Sequence, residues 1–164
     1  MLPLQTILHP TDFSDCSGYA FRLACSLARD YGARLVVLHV AEPLMAVAGE
    51  GVLMLPPTFD LELLRKQLQQ LEPRNPKVQV EHRLVQGDAA AEILRLAAET
   101  KCDLIMMGTH GRTGLRRVLM GSVAEQVVRK ASCPVLTVKT PQRQVSSTEE
   151  PVTAAASKEA EATR

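Results

Sequence analysis

Tryptophan is absent from this 164-residue chain, and only two tyrosines and three phenylalanines are present. So few ring faces argue against a surface on which single-stranded bases stack. An excess of charge of one sign is also missing. Nineteen Lys and Arg against eighteen Asp and Glu leave a formal charge of +1, too little to draw nucleic acid or an anionic membrane surface. No apolar run reaches the ~20 residues that a membrane-crossing helix needs. The opening Met1-Leu-Pro-Leu-Gln-Thr-Ile-Leu lacks the basic start and long apolar core of a secretory leader. The expectation is a cytoplasmic protein with no nucleic-acid and no membrane partner. The four cysteines, Cys16, Cys25, Cys102 and Cys133, form no C-x-x-C pair, and no histidine stands at metal-ligand spacing from them. They read as small buried or half-buried thiols, with a redox role for Cys16 as the open alternative.

Several catalytic and cofactor signatures are missing too. The chain has no G-x-x-x-x-G-K-[ST] cradle and no G-x-G-x-x-G after its first strand. It has no G-x-S-x-G elbow and no obvious pair of carboxylates for acid–base work. What the chain does have is a strict alternation of apolar runs and helical stripes. Leu4 to His9 reads as a strand and Arg34 to Val40 as a second. The continuous Leu35-Val36-Val37-Leu38 suits a strand covered on both faces. Between them Ala20, Leu23, Ala24, Leu27, Ala28 and Tyr31 repeat with helical spacing, after Ser14 or Asp15 as cap and before Gly32 as stop. Leu61, Leu64, Leu68 and Leu71 mark a second helix, and Val78 to Val85 a third strand whose alternation suits a sheet edge. A third helix is capped by Asp88, and Asp103 to Met107 is a fourth strand. A fourth helix runs from Ser122 to Lys130, with Ser122 and Glu125 as a capping box, and Pro134 to Lys139 is a fifth strand. Ala41 to Pro57, dense in glycine and proline, reads as a long mobile connection. Five strands alternating with four helices predict a parallel α/β sandwich, whose ligands sit where the strand order reverses. Residues 1–140 form this expected domain. Residues 141–164, rich in Gln, Ser, Thr, Glu and Ala, form an expected disordered polar tail.

Three loops of such a sandwich carry suitable groups. After the fourth strand come Gly108-Thr109-His110-Gly111 and, nine residues on, Gly121-Ser122 at a helix start. Glycines let backbone amides approach closely, and a helix N-terminus adds unpaired N–H groups and partial positive charge. That combination suits phosphate. Arg112, Arg116 and Arg117 either add to it or form a solvated face, and His110 either approaches phosphate or faces solvent. After the first strand, Asp12 serves either ribose hydroxyls or a turn. His39, ending the second strand, is either a ligand or a satisfied core histidine, and the backbone of Val40 suits a purine edge.

These residues resemble the universal stress protein family. The likeness runs from Ile7-Leu8-His9-Pro10-Thr11-Asp12-Phe13-Ser14, through Leu38-His39-Val40, to Cys133-Pro134-Val135-Leu136-Thr137-Val138. It includes the complete G-x2-G-x9-G-[ST] of the ATP-binding branch at Gly108, Gly111, Gly121 and Ser122. The resemblance implies a five-stranded parallel sheet of order 3-2-1-4-5 with helices on both faces, of the adenine-nucleotide alpha hydrolase-like type. It also implies ATP binding, with Mg²⁺ accompanying the nucleotide. The binding residues it implies are Pro10, Thr11, Asp12, Val40, Met107, Gly108, His110, Gly111, Arg112, Gly121, Ser122 and Val123. Of these, Asp12 and Val40 lie near the adenosine, and the glycine loop and Ser122 lie on the phosphates. A homodimer through the Pro134–Val138 strand is implied as well, serving as a nucleotide-dependent regulator in the stress response with a protein partner still to be identified. Two alternatives stand beside it: a slow ATPase or phosphotransferase, and a dimeric interaction module with a vestigial loop.

Overall fold

The architecture is set by one strand that water never reaches. In the computed structural model, which describes residues 4–43, 45–48, 51–54, 60–109 and 120–140, β1 (Thr6–Pro10) is buried at all five positions. It pairs in parallel with β2 (Arg34–Ala41) on one side and β6 (Leu104–Gly108) on the other. β5 (Val80–Gln86) flanks β2 and β7 (Val135–Val138) flanks β6, giving the order β5-β2-β1-β6-β7. With β3 and β4 set aside, this is the parallel sheet that the alternation predicts, in the 3-2-1-4-5 order that the resemblance implies. β5 is the expected edge strand, with no residue fully buried.

Alternate side chains of the central strands build two cores. Ile7, Leu35, Val37 and Met106 face α1 (Asp15–Tyr31) and α2 (Leu61–Gln69) through Ala20, Phe21, Ala24, Ala28 and Leu68. Leu8, Val36, Leu38, Ile105 and Met107 face α3 (Ala89–Thr100) and α4 (Ser122–Lys130) through Ala90, Ile93, Leu96, Ala124 and Val127. The period-2 pleat thus distributes one continuous apolar run between two layers. The alanines of α1 let that helix lie close to the sheet.

Three helices start on side chains that accept backbone amides: Ser14 for α1, Asp60 for α2 and Asp88 for α3. Gly32 ends α1 with φ 67°, the left-handed conformation expected of a stop glycine. At the amino ends of the strands Asp103 holds the sheet together. Its Oδ2 accepts the amides of Gln5 and Thr6, both at 2.8 Å.

Two expectations are corrected. The segment Ala41 to Pro57 is not simply a connection, because Met45–Ala48 (β3) and Gly51–Met54 (β4) pair antiparallel, Met45 opposite Met54 and Ala48 opposite Gly51. Two short apolar runs separated only by Gly49-Glu50 carry the sequence signal of a hairpin with a two-residue turn, which the surrounding prolines obscure. Second, Ser122 does not cap α4. It is the first helical residue, Gly121 is the cap, and no side chain supplies the cap hydrogen bond. Glu125 donates its own amide to the Gly121 carbonyl and sets its carboxylate 3.5 Å from Arg129. The tail 141–164 lies outside the described residues.

His9 sits in β1 with no exposed surface, 5.7 Å from the Phe21 ring. Its Nδ1–H donates to the Met106 carbonyl at 2.8 Å, and its Nε2 has no hydrogen-bond partner among the described residues. Burial holds its pKa down at about 4, against an ordinary 6.5. The unfolded chain therefore takes up a proton that the folded chain refuses. Stability is complete above pH 6.5 and is lost as pH falls from there toward 4. This one group removes about 2 kcal/mol between pH 7.5 and pH 5. Denaturant unfolding at both pH values, compared with His9→Gln, measures it; equal pH slopes in the two proteins would contradict the assignment.

Candidate functional site

The loop after β1 is braced by hydrogen bonds among its own polar groups and to its neighbours. Thr11 donates its amide to the Leu38 carbonyl at 2.8 Å, and its Oγ1 lies 3.0 Å from Ser17 Oγ and accepts the Phe13 amide. His39 Nδ1–H donates to the Thr11 carbonyl at 2.8 Å, and its ring lies 4.4 Å from that of Phe13. Phe13 takes φ 63°, a left-handed conformation that tight local bonding must hold in place. Asp12 Oδ1 accepts from the Ser14 amide at 3.1 Å and from the Ser14 hydroxyl at 2.6 Å, and Ser14 in turn caps α1. The chain is thereby turned sharply from strand to helix, and the Asp12 carboxylate is fixed at its corner.

The strand after the crossover delivers the second loop beside the first. β6 ends at Gly108, where a Cβ would stand 2.9 Å from Cys16 Sγ and 3.3 Å from the Cys16 carbonyl carbon and the Ser17 amide. Glycine is thus required at 108 by the first turn of α1, whatever else approaches it. The loop that follows is pinned at its base. Thr109 donates its amide to the Val138 carbonyl at 2.9 Å, and Gly121 donates to the Thr109 carbonyl at 2.7 Å.

These pieces surround one cavity of about 530 Å³, within the usual range for small-molecule pockets. Pro10, Thr11 and Asp12 from the first loop, Val40 from the end of β2, Met107 and Gly108 from the end of β6, and Gly121, Ser122 and Val123 from the start of α4 all line it. Nine of the twelve residues singled out from the sequence and the resemblance therefore meet at one place. His110, Gly111 and Arg112 lie outside the described residues, as do Arg116 and Arg117.

The cavity also has walls that the motifs do not reveal. Leu64 of α2, Ala89 and Ile93 of α3, and Glu42 beyond β2 contribute to it. Glu42 Oε1 accepts the Ala89 amide at 3.2 Å, tying the β2 loop to the start of α3. Ile93 and Ala124 belong to helical stripes and are read from the sequence as core. That they also reach the cavity depends on how α3 and α4 tilt, which spacing does not encode. His39 lines the cavity while its Nδ1 is committed to Thr11, so the satisfied-histidine reading accounts for that nitrogen.

Chemically, one wall offers a carboxylate and β-strand backbone. The opposite wall is the amino end of α4, where the cap residue has no side chain and no side chain caps the first turn. N–H groups at such an end carry partial positive charge and suit an anion. Among the described residues no group of three or more His, Cys, Asp or Glu is gathered as a metal site. No helix there is long and apolar enough to cross a membrane.

Comparison with known proteins agrees with this geometry. Residues 3–139 match the model of the Universal stress protein family. A universal stress protein of Methanocaldococcus jannaschii is 38% identical over 150 residues, spanning 85% of each chain. One from Thermus aquaticus is 35% identical over 142 residues, spanning 82% of this chain and 98% of its own. Among solved structures, UspA of Lactobacillus plantarum aligns with a TM-score of 0.67 at 24% identity, over 84% of this chain and 99% of that one. A universal stress protein in complex with cAMP aligns at 0.61 with 26% identity, over 85% and 99%.

The contact beneath Gly108 generates a stability test. Gly108→Ala should cost about 1–3 kcal/mol, and Cys16→Ala should recover part of that in the double variant by removing the sulfur that the new methyl meets. Thermal melts of the four proteins form the cycle; strict additivity would mean that the two positions do not touch.

Proposed function

We propose that the chain, which belongs to the universal stress protein family, binds ATP in the cavity between β1, β6 and α4 and acts as a nucleotide-dependent regulator. The observation that carries the reading is a contrast among helices. α1, α2 and α3 each satisfy their amino ends with a side chain, and α4, whose first residues line the cavity, does not. A phosphate would supply the missing acceptors. Ser122 would add its hydroxyl, and Gly108, His110, Gly111 and Arg112 would complete the cradle. Asp12 would accept from the ribose hydroxyls, and the Val40 backbone, with Pro10, Thr11, Met107 and Val123 around it, would frame the base. The relative in complex with cAMP supports an adenine nucleotide as the class of ligand. Mg²⁺ would arrive with the triphosphate and be held chiefly by phosphate oxygens and water.

Of the two carboxylates that line the cavity among the described residues, Asp12 accepts from Ser14 and is assigned to the ribose, and Glu42 accepts the Ala89 amide, so binding rather than turnover is the function assigned. The same reading includes a homodimer through Pro134–Val138. β7 ends the sheet, and Leu136 is 43% exposed upon it. An apolar edge strand is a liability that pairing with its twin removes.

Three measurements test these assignments. Titration calorimetry should show ATP binding that Gly111→Val abolishes without loss of the folded circular-dichroism spectrum. Asp12→Asn, which keeps the Oδ1 acceptor for Ser14, should weaken adenosine about tenfold and inorganic triphosphate little; equal losses for both would remove Asp12 from the ribose. Leu136→Lys should shift the mass from light scattering toward the monomer, and an unchanged dimer would place the interface elsewhere.

A further inference from the structure

At the amino ends of the strands, across the sheet from the cavity, two cysteines come together. Cys102 is 6% exposed and follows Lys101, the left-handed cap of α3. It donates its amide to the Ala97 carbonyl at 3.1 Å and precedes Asp103, whose carboxylate grips Gln5 and Thr6. Cys133 is half-buried and precedes Pro134, whose carbonyl accepts the Ile105 amide at 3.0 Å. The β6–β7 pairing, with Ile105 opposite Val135, brings the segments preceding the two strands alongside each other, with Cys102 one position out of step with Cys133. Their Sγ atoms are 3.6 Å apart, in hydrogen-bond contact. The backbone around the pair is held by the Cys102 amide, by the Asp103 carboxylate and by the Pro134 carbonyl. A disulfide would bring the two sulfurs to ~2.05 Å.

We propose that Cys102 and Cys133 are a peroxide-responsive dithiol, converted reversibly to a disulfide that staples the start of β6 to the start of β7. Cys133, the more accessible sulfur, is the attacking group. As its thiolate it attacks the terminal oxygen of a hydroperoxide and breaks the O–O bond, forming a sulfenic acid and expelling hydroxide from hydrogen peroxide, or alkoxide from an organic hydroperoxide, which is protonated to water or an alcohol. The Cys102 sulfur then attacks the Cys133 sulfur. The S–O bond breaks, the thiol proton leaves with the hydroxyl as water, and the disulfide forms. Two thiols lose two electrons and one peroxide bond gains them. The order agrees with burial, which pushes the Cys102 thiol up to about 12, with its hydrogen bond to Cys133 adding to it; Cys102 is poorly suited to act first. Cys25, pushed by burial to about 11, is likewise a slow competitor. The inference does not depend on nucleotide binding.

The full chain treated with hydrogen peroxide under native conditions, alkylated and cut with trypsin tests it. The expected product is peptide 102–112 joined to peptide 131–139, lost on treatment with dithiothreitol and absent in Cys133→Ser. In Cys102→Ala, dimedone should label Cys133. If that buried variant fails to fold, dimedone competing during oxidation of the unaltered protein gives the same readout. The disulfide form should melt about 5 °C or more above the reduced form, because a loop of some thirty residues is closed in the unfolded chain. Recovery of both peptides as separate alkylated thiols from peroxide-treated, folded protein would overturn the proposal, as would a cross-linked form that melts lower than the reduced one.

Discussion

The structure depends on β1 being paired in parallel on both of its edges. A strand buried at all five positions must have a layer of apolar side chains above it and another below, so helices are required on both faces. Its partners must also leave by opposite routes. The chain goes from β1 to β2 over one face, with α1 as the crossover, and reaches β6 only after α3 on the other. At the carboxyl end of β1 the two routes part, and a crevice opens that no local packing can close. The cavity walled by Asp12, Gly108 and Ser122 is that crevice. It is a consequence of topology before it is a consequence of any motif.

Topology makes room, and the polar groups decide what the room suits. Thr11, Asp12, Ser14, Ser17 and His39 satisfy one another, so the first loop presents a fixed surface that need not rearrange on binding. Preorganisation of this kind lowers the ordering cost of a ligand. The α4 side is left incomplete in a specific way, since a glycine cap cannot reach back to the amides of the first turn. A serine or aspartate at position 121 would cap the helix and direct its side chain toward the phosphate region. The sequence motif therefore has two physical contents. Gly121 leaves the first turn of α4 without a side-chain cap, whereas Gly108 meets the demand of α1 for space. Treating all its glycines as one cradle conflates a packing constraint with a binding one.

The same distinction explains what was legible beforehand. The Leu35–Leu38 run, the Ala20–Tyr31 stripe and the Asp88 cap are local signals with local causes, and they yielded the elements and the layers, whereas the strand order came from the family resemblance. The convergence of Asp12, Val40 and Ser122 followed from strand order alone. The hairpin at Met45–Met54 was hidden because glycine and proline punctuate turns and irregular stretches alike. The cap of α4 was misassigned by one residue because serine followed by glutamate three positions on fits a capping box whether or not the serine is helical. Leu64 and Glu42 were invisible as cavity walls because their positions depend on how α2 and the β2 loop lie against the sheet, which no spacing in one chain records. Nor did the spacing of Cys102 and Cys133 announce a pair. Thirty residues separate them in sequence, and only the β6–β7 register brings them side by side.

Strand polarity finally separates the proposed nucleotide site from the proposed dithiol. In a parallel sheet all carboxyl ends lie on one side and all amino ends on the other. β6 is five residues long, so its two ends are about 16 Å apart. Gly108 stands at one end and Cys102 just before the other. A bond between Cys102 and Cys133 would enclose β6, the glycine loop and α4 in a single covalent ring, with the cavity at the far side of that ring. Because the two sulfurs already lie 3.6 Å apart, such a bond restricts the unfolded chain far more than it reshapes the folded one. Its effect would fall on how often the β6–α4 unit opens, and only through that on how long a ligand resting against α4 is retained.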